Sequence, residues 1–81
     1  YEANLQGANF ELTNFTSANL TRANFSGASL IGANFKNANL VEANFASANI
    51  IDANFEGSNL SDSTWVDGKK CSQNSIGTCN K

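Results

Sequence analysis

The sequence predicts an all-β solenoid with four sides, because a five-residue pattern recurs over most of its 81 residues. Every fifth residue from Leu5 to Trp65 is large and apolar, and these thirteen residues are here called centres. Alanine stands two places before ten of the centres, and asparagine stands one place before eleven. The two places after each centre vary freely. The unit A-N-[LF]-x-x therefore runs from Ala3 to Asp67.

A period of five residues fits neither a helix nor a flat strand. In an α-helix, five residues advance the chain by about 140° beyond a full turn, so the centres would be spread around every side. In a strand, side chains alternate between the two faces, so an odd step would expose half of the centres. The pattern works only if the backbone turns once per pentad. Each pentad is then one side of a coil, with the centre and the alanine pointing inward and the asparagine pointing outward.

The identity of the centres indicates four sides. From Leu20 to Leu60 leucine or isoleucine alternates with phenylalanine, which is a period of two pentads. Like residues stack on like residues only when a coil holds an even number of pentads. A four-sided coil gives columns that fill a square interior without voids. These columns are Phe25, Phe45 and Trp65; Phe15, Phe35 and Phe55; Leu20, Leu40 and Leu60; and Phe10, Leu30 and Ile50.

Tandem A-[DN]-[LF]-x-x units resemble the pentapeptide repeat family, and the resemblance covers residues 3–67. It implies a right-handed quadrilateral β-helix with four pentads per coil. The predicted organisation is therefore a β-helix at residues 1–67, of about three coils and roughly 16 Å in length. Residues 68–81 depart from the repeat and are predicted to form a C-terminal cap.

The cap prediction comes from the need to cover an apolar coil end. Trp65 is interpreted as the last core centre, and Ile76 is expected to be tucked over the end of the coil. Cys71 and Cys79 would close a short loop. A disulfide between them is favoured over two free thiols, because the loop is otherwise polar and cannot hold itself. The W-x-D-G-x-x-C…S-I-G-x-C ending is similar to C-termini of cyanobacterial and thylakoid-lumen members of the family.

Composition and motifs favour a structural or protein-interaction role and no enzymatic activity. The chain has no histidine, and its two cysteines have no further partners for a metal site. No nucleophile elbow or phosphate-binding loop occurs, so no catalytic, cofactor-binding or metal-binding residue is expected. A net charge of −2 and the absence of a long apolar run argue against nucleic-acid and membrane binding. A disulfide would place the protein in an oxidising compartment: periplasm, thylakoid lumen or outside the cell.

The alternative function is DNA mimicry, because one branch of the family protects DNA gyrase by imitating duplex DNA. Duplex DNA carries one negative charge per about 1.7 Å, so a mimic of this length would need about nine charges on one side. The repeat body has six acidic and two basic residues, and they are spread over all faces. Charge therefore favours the interaction role over DNA mimicry.

The candidate partner patch consists of Leu12, Ile31 and Ile51, which the register brings to one face. Residues 31 and 51 are twenty apart and are expected one above the other, with residue 12 near them. Ordinary strand preference for β-branched residues is the competing explanation for the two isoleucines. A homodimer through this face, or end-to-end stacking through an open first coil, is a further expectation.

Overall fold

The computed structural model describes residues 2–80, which form a four-sided parallel coil followed by a short reversed segment. Nine parallel bridges join each outward residue to the residue twenty positions later, from Asn4–Asn24 to Asn44–Thr64. A twenty-residue register means four pentads per coil, which confirms the predicted number of sides. Face 1 carries Leu5, Phe25, Phe45 and Trp65, and face 2 carries Phe10, Leu30 and Ile50. Face 3 carries Phe15, Phe35 and Phe55, and face 4 carries Leu20, Leu40 and Leu60.

The all-β prediction needs one correction, because residues 2–80 contain no continuous strand and no helix. Each bridge is a single residue, flanked on both sides by turns. A strand cannot lengthen, because the chain changes direction after every fifth residue. The parallel ladder is nevertheless regular: Leu30 donates its N–H to the Asn49 carbonyl at 2.8 Å, and Asn49 donates to the Ala28 carbonyl at 3.0 Å.

Each corner of the coil is a hydrogen-bonded turn across the two residues that follow a centre, here called the first and second corner residues. The N–H of the next small residue donates to the centre's carbonyl, as Ala33 does to Leu30 at 3.0 Å. The second corner residue has a positive φ at every corner from Glu2 to Asp62. Negative φ followed by positive φ is the pattern of a type II turn, which favours glycine at the second place. Glycine occupies four of these thirteen places: Gly7, Gly27, Gly32 and Gly57.

The left-handed backbone at the second corner residue decides where β-branched residues occur. Branching at Cβ makes a positive φ costly. The β-branched residues of the regular corners all lie at the first corner place: Thr16, Thr21, Ile31, Val41, Ile51 and Val66. Their side chains therefore project from the coil at a defined position, and the apolar ones among them, Ile31, Val41, Ile51 and Val66, are exposed or partly exposed.

The interior is a square shaft of apolar side chains, as the sequence predicts. No centre is exposed, and eight of the thirteen are buried. Stacked pairs run along each Phe column, with centroids 5.3 Å apart for Phe25–Phe45 and 4.8 Å apart for Phe15–Phe35. Edge-to-face pairs cross the shaft, as in Phe25–Phe35 at 5.6 Å. Both arrangements are favoured for aromatic rings and add about 0.5–1.5 kcal/mol per pair to the burial of their surface.

The outward asparagines stabilise the corners from outside. Each amide oxygen accepts a hydrogen bond from the N–H two residues later, as Asn44 does from Ala46 at 2.9 Å. This bond is an Asx turn, and it fixes the approach to the corner while the backbone of the same asparagine makes the ladder. The preference for asparagine thus has a local cause, and the amide oxygens are used within their own pentads.

The C-terminal segment reverses at Gly68 and runs back, antiparallel, over two of the four faces. Residue Lys70 pairs with Thr64 on face 1, and Ile76 pairs with Asn59 on face 4. The Leu60 N–H donates to the Ser75 carbonyl at 2.7 Å. Leu60 and the disulfide-bonded Cys71 are consequently buried.

Cys71 and Cys79 are bonded, with Cα atoms 5.1 Å apart, as the sequence favours. The expectation that Ile76 is tucked over the coil end is wrong, because its side chain is 54% exposed. The segment covers the end by backbone pairing and through the buried Ser75 and Cys71. Residues 1 and 81, the outer limits of the two predicted segments, lie outside the described residues.

Candidate functional site

Three exposed or partly exposed apolar side chains form a ridge along the corner between faces 2 and 3. Leu12 is 81% exposed, Ile51 is 62% exposed and Ile31 is partly exposed. The Leu12 N–H donates to the Ile31 carbonyl at 2.9 Å, and the Gly32 N–H donates to the Ile51 carbonyl at 2.9 Å. The ladder therefore places the three residues on three successive coils. This set, Leu12, Ile31 and Ile51, is called the corner ridge below.

Leu12 is the most unusual member of the corner ridge. Its φ is +60°, and it is the single apolar residue among the thirteen second corner residues from Glu2 to Asp62. Such a backbone costs of order 1–3 kcal/mol for a non-glycine residue. A Cβ on Gly32 would come 2.7 Å from the Leu12 Cδ2 atom, so the absence of a side chain there lets Leu12 lie against the next coil. Leucine at this corner thus combines backbone strain with solvent exposure.

Two carboxylates without a basic partner border the corner ridge. Glu11 precedes Leu12, and its Oε2 accepts a hydrogen bond from the Ser29 hydroxyl at 3.3 Å. Asp52 follows Ile51 at the last regular corner of this column. No ion pair within residues 2–80 involves either carboxylate. The ridge is therefore apolar along its length and acidic at both ends.

Two other columns contain ion pairs between stacked residues of neighbouring coils. Arg22 lies between two glutamates one coil away on either side, at 3.1 Å from Glu2 and 3.2 Å from Glu42. Lys36 lies 3.5 Å from Glu56 in the next coil. The twenty-residue register thus brings opposite charges together at three contacts, whereas Glu42 and Asp62 are like charges one coil apart. The column that contains Glu11 and Asp52 has no lysine or arginine. The negative charge of these two carboxylates is therefore not offset by a cation stacked one coil away.

The described part of the chain holds no other constellation that suggests chemistry. Within residues 2–80 no cavity is enclosed, and no group of three acidic or cysteine side chains is close enough to hold a metal ion. That same range contains no helix of the length and hydrophobicity needed to cross a bilayer.

The register predicted from the sequence places Leu12, Ile31 and Ile51 together, as in the structure, and their role as a partner patch stays a prediction; the strain at Leu12 was missed. A signal was present, because glycine recurs at the second corner place and β-branched residues never occur there. Together these point to a positive φ and make a leucine at that place unusual. The lack of a basic partner for Glu11 and Asp52 could be recognised only after every charged residue had been assigned to one of the four corners of the coil.

The twenty-residue register defines the class of the molecule, which is a four-sided solenoid built from five-residue sides. The corner ridge lies at one of its four corners. The family model described as pentapeptide repeats matches eight copies of the unit, at residues 1–30 and 23–62. The chain belongs to the pentapeptide repeat family. Membership implies the right-handed coil that the sequence resemblance predicts.

Solved structures of two pentapeptide repeat proteins are similar to this chain. HetL of the cyanobacterium Nostoc sp. strain PCC 7120, involved in heterocyst differentiation regulation, is 31% identical with a TM-score of 0.38. The match covers 84% of this chain and 36% of HetL, so this chain spans about a third of that protein. A pentapeptide repeat protein of the Arabidopsis thaliana thylakoid lumen is 26% identical with a TM-score of 0.48, over 98% of this chain and 68% of that one. A search of curated proteins gave no match.

Proposed function

We propose that the protein is a non-enzymatic interaction solenoid that holds the corner ridge rigidly for a protein partner. The observation that carries the proposal is Leu12, a leucine that is 81% exposed in a left-handed backbone. Both solvent exposure and backbone strain disfavour leucine at that place, and its neighbours across the coils are the two exposed or partly exposed isoleucines. Local rules are broken most often where a residue serves function.

The chemistry of the corner ridge favours a partner with an apolar groove and a basic rim. A corner of the coil is convex, so it fits a concave surface. Its two unpaired carboxylates, Glu11 and Asp52, lie at the two ends of the apolar stretch. Lysine or arginine at the rim of the groove would complement both, and such pairing sets orientation and association rate more than affinity.

A second copy of the chain fits this surface less well. Two corner ridges packed antiparallel would bring Glu11 of one copy towards Asp52 of the other, with no cation near either.

The compartment we propose is extracytoplasmic, because disulfides persist in oxidising environments. The Cys71–Cys79 bond supports this placement.

Affinity capture from the native organism tests the proposed function. We expect immobilised protein to retain specific partners, and the Ile31→Thr/Ile51→Thr double variant to lose them. Threonine keeps the branched shape that the first corner place accepts and removes the apolar contact. Bound proteins should elute as salt rises, since the expected pairs at Glu11 and Asp52 are exposed to solvent.

Val41→Thr is the matched control, because it makes the same change at a first corner place on another column. It should retain every partner. Recovery of the same proteins by wild type and by the double variant would show that the corner ridge is ordinary surface.

A further inference from the structure

We infer that the C-terminal end of the solenoid is a docking edge for an extended segment of another protein chain. The segment would add one more side to the coil over residues 48–55, by backbone hydrogen bonds. The reversed segment covers faces 1 and 4 of the last coil and leaves this stretch without a neighbour. The inference goes beyond the proposed function and uses the backbone of the coil end, where Ile51 and Asp52 also belong to the corner ridge and its border.

The limits of the open edge are set by the last contacts of the reversed segment. On one side, the Ser47 N–H still donates to the Val66 carbonyl at 3.1 Å. On the other side, Gly77 lies against Gly57, since a Cβ on Gly77 would be 3.5 Å from the Gly57 nitrogen. Between these limits the chain passes along face 2 and onto face 3. Residues 48–55 are called the open edge below.

Five backbone groups of the open edge lack, within residues 2–80, the ladder bond that their equivalents make in the preceding coil. Three are donors, the N–H groups of Ile50, Asp52 and Phe55. Two are acceptors, the carbonyls of Ala48 and Ala53. A row of unpaired backbone groups is a template for strand addition, with hydrogen bonds giving affinity and alternate side chains giving specificity.

The ladder one coil earlier shows how these five groups are satisfied when a coil is added. There the N–H groups of Leu30, Gly32 and Phe35 donate to the carbonyls of Asn49, Ile51 and Asn54, at 2.8, 2.9 and 2.7 Å. Asn49 and Asn54 donate in return to the carbonyls of Ala28 and Ala33, at 3.0 and 2.9 Å. An incoming segment that presents two residues five apart, and the carbonyl between them, makes the same five bonds.

The side chains around the open edge specify the incoming segment. Ile50 is partly exposed in the shaft, so the residue above it should be large and apolar. Ile51 is 62% exposed at the corner and favours a β-branched residue above it. The Asp52 carboxylate has no ion pair within residues 2–80, and opposite charges one coil apart do pair elsewhere, as Arg22 and Glu42 do at 3.2 Å. The segment should therefore place a lysine or arginine above Asp52.

A second copy of this chain cannot occupy the open edge as a rigid body, although the first coil has suitable groups. To continue the ladder, Asn9 of the second copy would lie above Asn49 and its Phe10 above Ile50. Its Leu5, one pentad before Phe10, would then fall in the space that Trp65 fills. The copy's face 4 would also meet the reversed segment over Leu60. An extended segment of a different chain has neither conflict.

The test uses the disulfide-bonded protein and an acetylated, amidated seven-residue peptide, ANIIKAN. This is the sequence of residues 48–54 with lysine in place of the aspartate, so it provides the five bonds, the apolar residues and the cation. In the free protein we expect rapid amide exchange at Ile50, Asp52 and Phe55, and slow exchange at Leu30, Gly32 and Phe35. Titration followed by NMR should shift the first three amides in a saturable way and slow their exchange.

Three controls test the contributions of the peptide backbone, of the Asp52 charge and of the corner ridge to peptide binding. A peptide N-methylated at both asparagines lacks the two donors and should not bind. The Asp52→Lys variant should bind ANIIKAN two- to fivefold more weakly, the range that one exposed ion pair supports. Leu12→Asn, which changes the corner ridge alone, should leave peptide binding unchanged, so failure of the proposed function and failure of this inference give different results.

Three outcomes would overturn the inference. One is slow exchange at Ile50, Asp52 and Phe55 in the free protein, which would mean that the edge is already covered. Another is equal binding of the N-methylated peptide, or no binding of ANIIKAN at all. The third is protection of these amides that grows with protein concentration alone, which would identify a second copy as the occupant.

Discussion

The second corner residue of each pentad is the place where backbone conformation restricts which side chains fit. Its φ lies near +60° wherever it is not glycine, as at Ser17, Asn37 and Ser47. Most L-residues disfavour that region, and β-branched residues disfavour it most. The residue before it has no such restriction, so two neighbouring positions on the same surface should respond differently to the same substitution.

Substitution to valine at residues 46 and 47 tests this difference. Ser47→Val should lower the free energy of unfolding by about 1–3 kcal/mol, because valine must adopt the φ of +61° found at Ser47. Ala46→Val, at the adjacent first corner place, should change it by less than about 0.5 kcal/mol. Urea unfolding followed by Trp65 fluorescence measures both. Equal destabilisation by the two variants would show that backbone conformation is not what limits the second place.

Within one pentad, the asparagine before the centre has two roles that the structure separates. Its backbone makes the ladder, and its amide oxygen accepts the N–H of the first corner residue. The second role is absent at Ser29, whose hydroxyl donates to Glu11 instead, so the Ile31 N–H has no acceptor within residues 2–80. Ser29 thus provides a natural comparison for the Asx turn.

Removing and adding one Asx turn should therefore have opposite effects on stability. Asn44→Ala breaks the 2.9 Å bond from the Ala46 N–H and should cost about 0.5–1.5 kcal/mol of unfolding free energy. Ser29→Asn should add a comparable bond to the Ile31 N–H and raise stability, by about 0.5 kcal/mol or more. Thermal unfolding of the two variants and wild type checks the order. A stabilising Asn44→Ala would contradict the role assigned to the amide.

The pentad also shows how far the sequence predicts the structure. The inward alanine and centre follow from burial and from the five-residue period, so the sequence predicts them. The positive φ at Leu12 or Asp52 is harder to predict from the sequence. Polar and charged residues also occupy the second corner place, so the preference for glycine there is not obvious. The path of the chain after Gly68 has no repeat to guide it, and the exposure of Ile76 could not be derived.

At the scale of the whole molecule, the reversed segment and its disulfide close one end of the shaft. The segment makes few apolar contacts, because Cys71 is buried but the residues around it are mostly exposed. Its place over Leu60 and Trp65 depends on the hydrogen bonds that these two residues donate to the carbonyls of Ser75 and Lys69, and on the covalent link at Cys71. The C-terminal end should therefore open before the coils do.

Reduction of the Cys71–Cys79 bond tests that order. Closure of a loop of this length contributes about 2–4 kcal/mol, so reductant should lower the unfolding free energy by an amount in that range. Amide exchange at Leu60, Asp62 and Trp65 should accelerate first, while exchange at Leu30 and Phe35 stays slow. The Cys71→Ser/Cys79→Ser variant should behave like the reduced protein and should not respond to reductant. Uniform acceleration along the chain would indicate a single cooperative unit.

The twenty-residue register has a consequence for how chains of this kind change in length. Removing residues 24–43, which is one full coil, would join Ala23 to Asn44 without changing the order of places in the pentad. Every later side chain would then keep its direction around the axis of a shorter coil. Removing a single pentad would instead rotate everything downstream by a quarter turn, and would set Phe columns above Leu columns. Chains whose lengths differ by whole coils therefore keep their exposed corners in the same orientation relative to one another. Chains whose lengths differ by other numbers of pentads have those corners at different positions around the axis.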